Sequence, residues 1–193
     1  MKQIKRLKRE KVSLFLAAAV LSLGILSGCG GESKEAKEAR MTGIEQLNAG
    51  NYQDAIDSFG KALDESDGIV NSFELDVLKY RGEAEYKLAD YKAAAQTYGI
   101  LAEVDGGKAE YLYYKAASEA AAGQAEDAEK DFAAAEEKAK NSKKSSAAAP
   151  GVSLAFTALA SAARDAGDSE LAAQYCNQAI ERGVSGPEIY NQL

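Results

Sequence analysis

Four segments of the chain align without internal gaps when Gly50, Ala89, Gly123 and Gly167 are placed under one another. No other feature constrains the fold as strongly, because self-similarity at this period marks a repeated supersecondary unit. An amphipathic helical pattern precedes each of the four small residues. After it, Tyr52, Tyr91, Ala125 and Ser169 share one column, and Ala55, Ala94, Ala128 and Ala172 stand three residues further on. Four residues beyond come Phe59, Tyr98, Phe132 and Cys176, and three beyond those Ala62, Leu101, Ala135 and Ala179. Steps of three and four residues place these columns on one face of a helix. Each segment therefore reads as two helices joined at the aligned small residue. Alanine dominates the composition and Pro150 and Pro187 are the only prolines, which favours helix throughout.

This pattern resembles the tetratricopeptide repeat, in which paired antiparallel helices carry a small residue in the first helix, a turn glycine, and then alanine, an aromatic and alanine in the second. The resemblance covers residues 36 to about 183. Gly43 and Gly82 stand where the first helix needs its small residue, and Ala116 and Ala160 replace them in repeats three and four. Repeat one matches most fully, with Gly-Asn-Tyr-Gln-Asp-Ala-Ile at 50–56; repeat four matches least, since Cys176 replaces an aromatic. The intervals between turn positions are 39, 34 and 44 residues, against about 34 in the family. The extra residues fall between repeats, around 64–72 and 141–151, where added loop length costs little entropy.

Local signals agree with this register. Asn51, Asp90 and Asp168 follow the turn residue and are expected to cap the second helices. Asn71 with Glu74 forms a capping-box pattern opening the first helix of repeat two, with Leu75, Leu78 and Phe73 as apolar contacts. Pro187, followed by Ile189, Tyr190 and Leu193, suggests a last short helix covering repeat four. The fold expected is all-α, an α-solenoid of about four tetratricopeptide-like helix pairs plus a C-terminal capping helix. A generic alanine-rich helical bundle is the alternative.

The N-terminus bears on location. Lys2, Lys5, Arg6, Lys8, Arg9 and Lys11 precede 15 mostly apolar residues at 12–26, too few to cross a bilayer, which takes about 20. The arrangement reads as an export signal. Leu26, Ser27, Gly28 and Cys29 resemble the lipobox of bacterial lipoproteins, which implies cleavage before Cys29 and a diacylglyceryl group on its thiol. The domains expected are a signal peptide at 1–28, a short lipidated tether at 29–35 and the repeat domain at 36–193. Acyl chains on Cys29 would hold the protein at the extracytoplasmic side of a bacterial cell membrane.

Removing residues 1–28 leaves 17 basic against 29 acidic residues, a net charge near −12. So acidic a domain repels nucleic-acid phosphates, and DNA or RNA binding is disfavoured. Histidine is absent, and Cys176 is the only thiol besides Cys29. No zinc site, Cys-His nucleophile, Ser-His-Asp triad or intramolecular disulfide can then be assembled. Cys176 reads as a small apolar packing residue. Acidic residues such as Glu83 and Asp127 do not stand out from ordinary helix-surface charge. The reading expects no catalytic residue, no metal and no cofactor.

The resemblance implies that the first helices of each pair line an inner surface that holds a peptide or a partner helix. On that basis the candidates are Lys37, Arg40, Ile44, Leu47 and Asn48 in repeat one, and Lys79, Glu83, Tyr86 and Lys87 in repeat two. Repeats three and four add Tyr113, Ala117, Ala120, Thr157, Ser161 and Arg164. Tyr and Arg are the residue types that most often dominate binding energy. Tyr111, Tyr113 and Tyr114 cannot all face one way on a helix, so at least one belongs to the core. The function expected is a scaffold or adaptor for another protein, with a self-associating component of an envelope, pilus or secretion assembly as the alternative.

Overall fold

The computed structural model describes residues 32–66, 70–140 and 150–184. Among these the chain is all-α, with eight helices and no strand. They are α1 Lys34–Asn48, α2 Tyr52–Asp64, α3 Ser72–Lys87, α4 Tyr91–Val104, α5 Ala109–Ala121, α6 Ala125–Lys140, α7 Pro150–Asp165 and α8 Ser169–Glu181. The expected signal peptide, Cys29 and the helix expected after Pro187 lie outside the described residues. Two compact units divide between Leu88 and Ala89, with α1–α3 in the first and α4–α8 in the second.

The aligned columns are part of the core. All twelve residues of the alanine, aromatic or cysteine, and alanine or leucine columns are buried, the most exposed being Phe132 at 8 %. The aligned turn residues share a backbone conformation as well: φ is +80° at Gly50, +65° at Ala89, +76° at Gly123 and +84° at Gly167. The Gly50 N–H donates to the Leu47 carbonyl and the Asn51 N–H to that of Gln46, which closes α1 with two otherwise orphaned carbonyls satisfied. The same pair of bonds recurs at Gly123 and Gly167. It recurs once more at Gly183, where Val184 tucks into the core to end α8. Sequence alignment did not identify that fifth turn.

Capping follows the expectation in part. Asp90 accepts from the Ala93 N–H and Asp168 from the Leu171 N–H. The Asn71 carboxamide accepts from Phe73 N–H at 2.7 Å while Glu74 accepts from the Asn71 N–H at 3.0 Å, the reciprocal pair expected of that motif. Asn51 makes no side-chain cap to α2. Ser33, assigned from sequence to the tether, instead caps α1 by accepting from Ala36 N–H, so that helix starts at Lys34, two residues before the expected domain start.

In the first unit α1 and α2 form a tight hairpin and α3 rests on α2, touching α1 more lightly. Gly43 makes the hairpin possible, since a Cβ there would stand 2.6 Å from the fully buried Phe59 ring. Phe59 in turn stacks on Tyr80 of α3, with ring centroids 5.9 Å apart. In the second unit α5 is the hub, packed by α4, α6 and α7, while α8 packs on α7. Tyr111, Tyr113 and residues 116–120 of α5 are all buried. Phe132 of α6 gathers Tyr113, Phe156 and Tyr175 edge to face, with centroids 5.0–6.2 Å away.

The fourth pair departs from the first-unit arrangement. Helix α7 lies chiefly on α5 and barely meets α6, whereas α3 lies on α2. Gly151, placed in an inserted loop by the sequence reading, belongs to α7. A Cβ on it would come within 3.1 Å of the Glu110 carbonyl and 3.3 Å of the Tyr113 Cβ. The missing side chain allows the starts of α5 and α7 to approach closely.

A polar contact between the two helices of a pair recurs in register. Gln46, four residues before its turn glycine, accepts from the hydroxyl of Ser58, which precedes Phe59. Glu119 and Asp131 hold the equivalent positions in repeat three and meet at Lys115.

Gly43→Ala is expected to destabilise the protein by up to about 2 kcal/mol, because overpacking against the buried Phe59 ring costs about 1–3 kcal/mol and the gain in helix propensity returns about 1. Ala89→Gly is expected to do the reverse, stabilising by about 0.5–1 kcal/mol through relief of the left-handed backbone. Urea unfolding of both variants, followed by circular dichroism, measures the two shifts.

Candidate binding groove

On α1 the residues at 36, 39, 43 and 47 face inward, which turns Lys37, Arg40 and Met41 toward the flank that approaches α3. A groove of about 500 Å³ opens there, between the N-terminal halves of the two helices. Lys37, Arg40 and Met41 line it from α1, and Ser72, Phe73 and Asp76 from α3, with Glu32 at its end.

Arg40 spans the groove. Its Nε donates to Asp76 Oδ2 at 2.7 Å, its Nη2 lies 2.5 Å from the same oxygen, and its guanidinium sits 5.6 Å from the centre of the Tyr80 ring. These contacts fix Arg40 as a strut between α1 and α3, stabilised by charge-assisted hydrogen bonding and the ring quadrupole. Lys37 is different: its ammonium is 3.8 Å from Glu32 and its side chain is 59 % exposed. Such a pair is worth little in water and yields readily to a competing anion. Met41, 52 % exposed, and the half-buried Phe73 supply apolar surface beside it. The groove therefore offers a cation next to a polarizable apolar wall, suited to an acidic group followed by an apolar side chain.

Of the residues expected to bind a partner, the structure brings Lys37 and Arg40 together in this groove. Leu47 is core, 5 % exposed. Ile44 is half-buried and Asn48 exposed. On α3, Lys79 is exposed, Tyr86 is half-buried, and Glu83 and Lys87 pair with each other at 3.0 Å. In the second unit Arg164 is exposed and pairs with Asp165, while Thr157 and Ser161 are half-buried.

Tyr113, Ala117 and Ala120 are buried, so none of the three offers surface to a partner. The reason for Tyr113 is specific. Its ring packs on Phe132, and its hydroxyl donates to Glu136 Oε1 at 2.5 Å, an oxygen that also receives Arg182. Burial first, and then the Glu136 bond, push the Tyr113 hydroxyl up to about 12. Tyr111 is core too, its hydroxyl donating to Asp105, whereas Tyr114 stacks on Tyr98.

Met41, Phe73 and Asp76 were not among the candidates. An exposed methionine beside Arg40 was a usable signal, but Asp76 becomes visible only once α3 lies beside α1. Among the described residues no group of three His, Cys, Asp or Glu side chains could hold a metal ion, and no helix is long and apolar enough to cross a membrane. No protein-family model matches the chain, and no curated protein sequence matches it.

Tyr113→Ala is expected to cost about 3–5 kcal/mol through the lost aromatic core contact, with Glu136 losing a partner besides. Differential scanning calorimetry should show the loss as a markedly lower transition, and an unchanged melting profile would contradict the core assignment.

Proposed function

We propose that the protein is a lipid-anchored, extracytoplasmic scaffold or adaptor, in which a tetratricopeptide-like α-solenoid of about four helix pairs with a terminal capping helix captures a protein or peptide partner. The α1/α3 groove carries this reading, because it lies on the helices that the resemblance assigns to the inner surface and combines Lys37 with Met41 and Phe73. The lipobox-like Leu26, Ser27, Gly28 and Cys29 support the anchor. Four residues separate Cys29 from Lys34, the start of α1, and reach at most about 14 Å. A partner bound in this groove would be held beside the membrane. The partner best suited presents an acidic group next to an apolar side chain, and catalysis plays no part in the reading.

The test has two arms. Palmitate labelling in a bacterial host should mark the wild-type chain and not Cys29→Ala, with the variant released from the membrane fraction; equal labelling would remove the anchor. A pull-down from detergent-solubilised envelope should then compare wild type with a Lys37→Glu, Met41→Asp double variant. Both side chains are mostly exposed, so helicity should be retained while capture falls about tenfold, a loss of about 1.4 kcal/mol. Equal capture would move the contact off the groove, and recovery of the chain itself as sole partner would favour the self-associating envelope component.

A further inference from the structure

Two carboxylates share one ammonium inside the second unit. Lys115 on α5 reaches Glu119 at 2.9 Å, one turn along the same helix, and pairs also with Asp131 on α6. Glu119 is 5 % exposed, and its Oε2 is buried without a hydrogen-bond partner. An orphaned oxygen on a charged carboxylate is far more costly to bury than one on a neutral acid.

The surroundings isolate the cluster. On α4, Gly99 lies against the Lys115 stem, 3.4 Å from its Cε to where a Cβ would sit, and the charged Lys92 and Glu103 of that helix are exposed. On α7, Arg164 and Asp165 pair with each other at the surface. On α6, Glu136 is engaged by Tyr113 and Arg182. The charges that act on Glu119 are those of Lys115 and Asp131.

We propose that Lys115, Glu119 and Asp131 form a proton-operated switch in the α5–α6 hairpin: when Glu119 takes up one proton, one ammonium faces one carboxylate, the buried excess charge disappears and the hairpin tightens. Burial pushes the Glu119 carboxyl up, Lys115 draws it back and Asp131 adds to the rise, leaving it at about 7 against an ordinary 4.5. A folded-state value above the unfolded one means that the folded chain holds a proton the unfolded chain releases. The stabilisation is therefore complete below about 4.5 and is lost as pH rises through about 7. The switch operates around neutrality although the chain contains no histidine.

The experiment is a carbon-13 NMR titration of the Glu119 side-chain carboxyl in the full chain, with urea midpoints measured between about pH 5 and pH 8. Wild type should titrate near neutrality, and its urea midpoint should fall as pH rises through that range. Glu119→Gln should remove that fall and exceed wild type at the alkaline end. Asp131→Asn should move the Glu119 titration about one pH unit lower, since Lys115 then serves Glu119 alone. A Glu119 midpoint near the ordinary carboxylate value would overturn the proposal, as would a Glu119→Gln midpoint that falls like wild type or an Asp131→Asn titration that stays in place.

Discussion

The tightest helix approaches need one helix to give up its side chain, and that steric constraint shapes the packing inside each unit. Gly43 facing Phe59 shows it most directly, because a single methyl group would enter the ring. Gly151 repeats the device where α7 meets α5, this time against backbone. Ala116 and Ala160, both fully buried, hold the equivalent first-helix positions in repeats three and four. Large rings such as Phe59, Tyr113 and Phe156 fill the space around these small residues. The division of labour explains how a chain with no tryptophan and few phenylalanines still assembles a core.

Polar groups meet at the edge of that core in fixed places. Ser58 with Gln46, and Asp131 with Lys115 and Glu119, join the two helices of a hairpin at the same repeat position. A helix slipped by one residue would part these partners, at the greatest cost for the buried Glu119 carboxylate. The first pair is neutral and satisfied. The second carries one negative charge too many, which makes it a weak joint at high pH and a strong one at low pH.

The groove rests on the same packing logic. Its walls are the flanks of α1 and α3 left over after their inward faces are buried, and Arg40 keeps the gap open by bracing against Asp76 and Tyr80. With Arg40 committed to the scaffold, the exposed Lys37 ammonium and Met41 remain to meet a partner.

The repeat spacing by itself determined the paired helices, the place of the turn between them and the twelve core positions of the aligned columns, because a buried helix face needs apolar residues every three or four positions. Capping was legible at Asp90, Asp168 and Asn71, where a short polar side chain has one nearby use. Asn51 shares that chemistry and yet makes no side-chain cap, and Ser33 acted where the linker was expected. What sequence could not decide was which flank of a helix stays open. Tyr113 and Lys37 both stand on first helices, but Tyr113 is drawn into the core by Phe132 and Glu136, residues 19 and 23 positions away along the chain. Asp76 meets Arg40 across 36 residues, and α7 chooses α5 over α6 through Gly151. Such choices depend on distances between separate elements, and only the tertiary structure sets those.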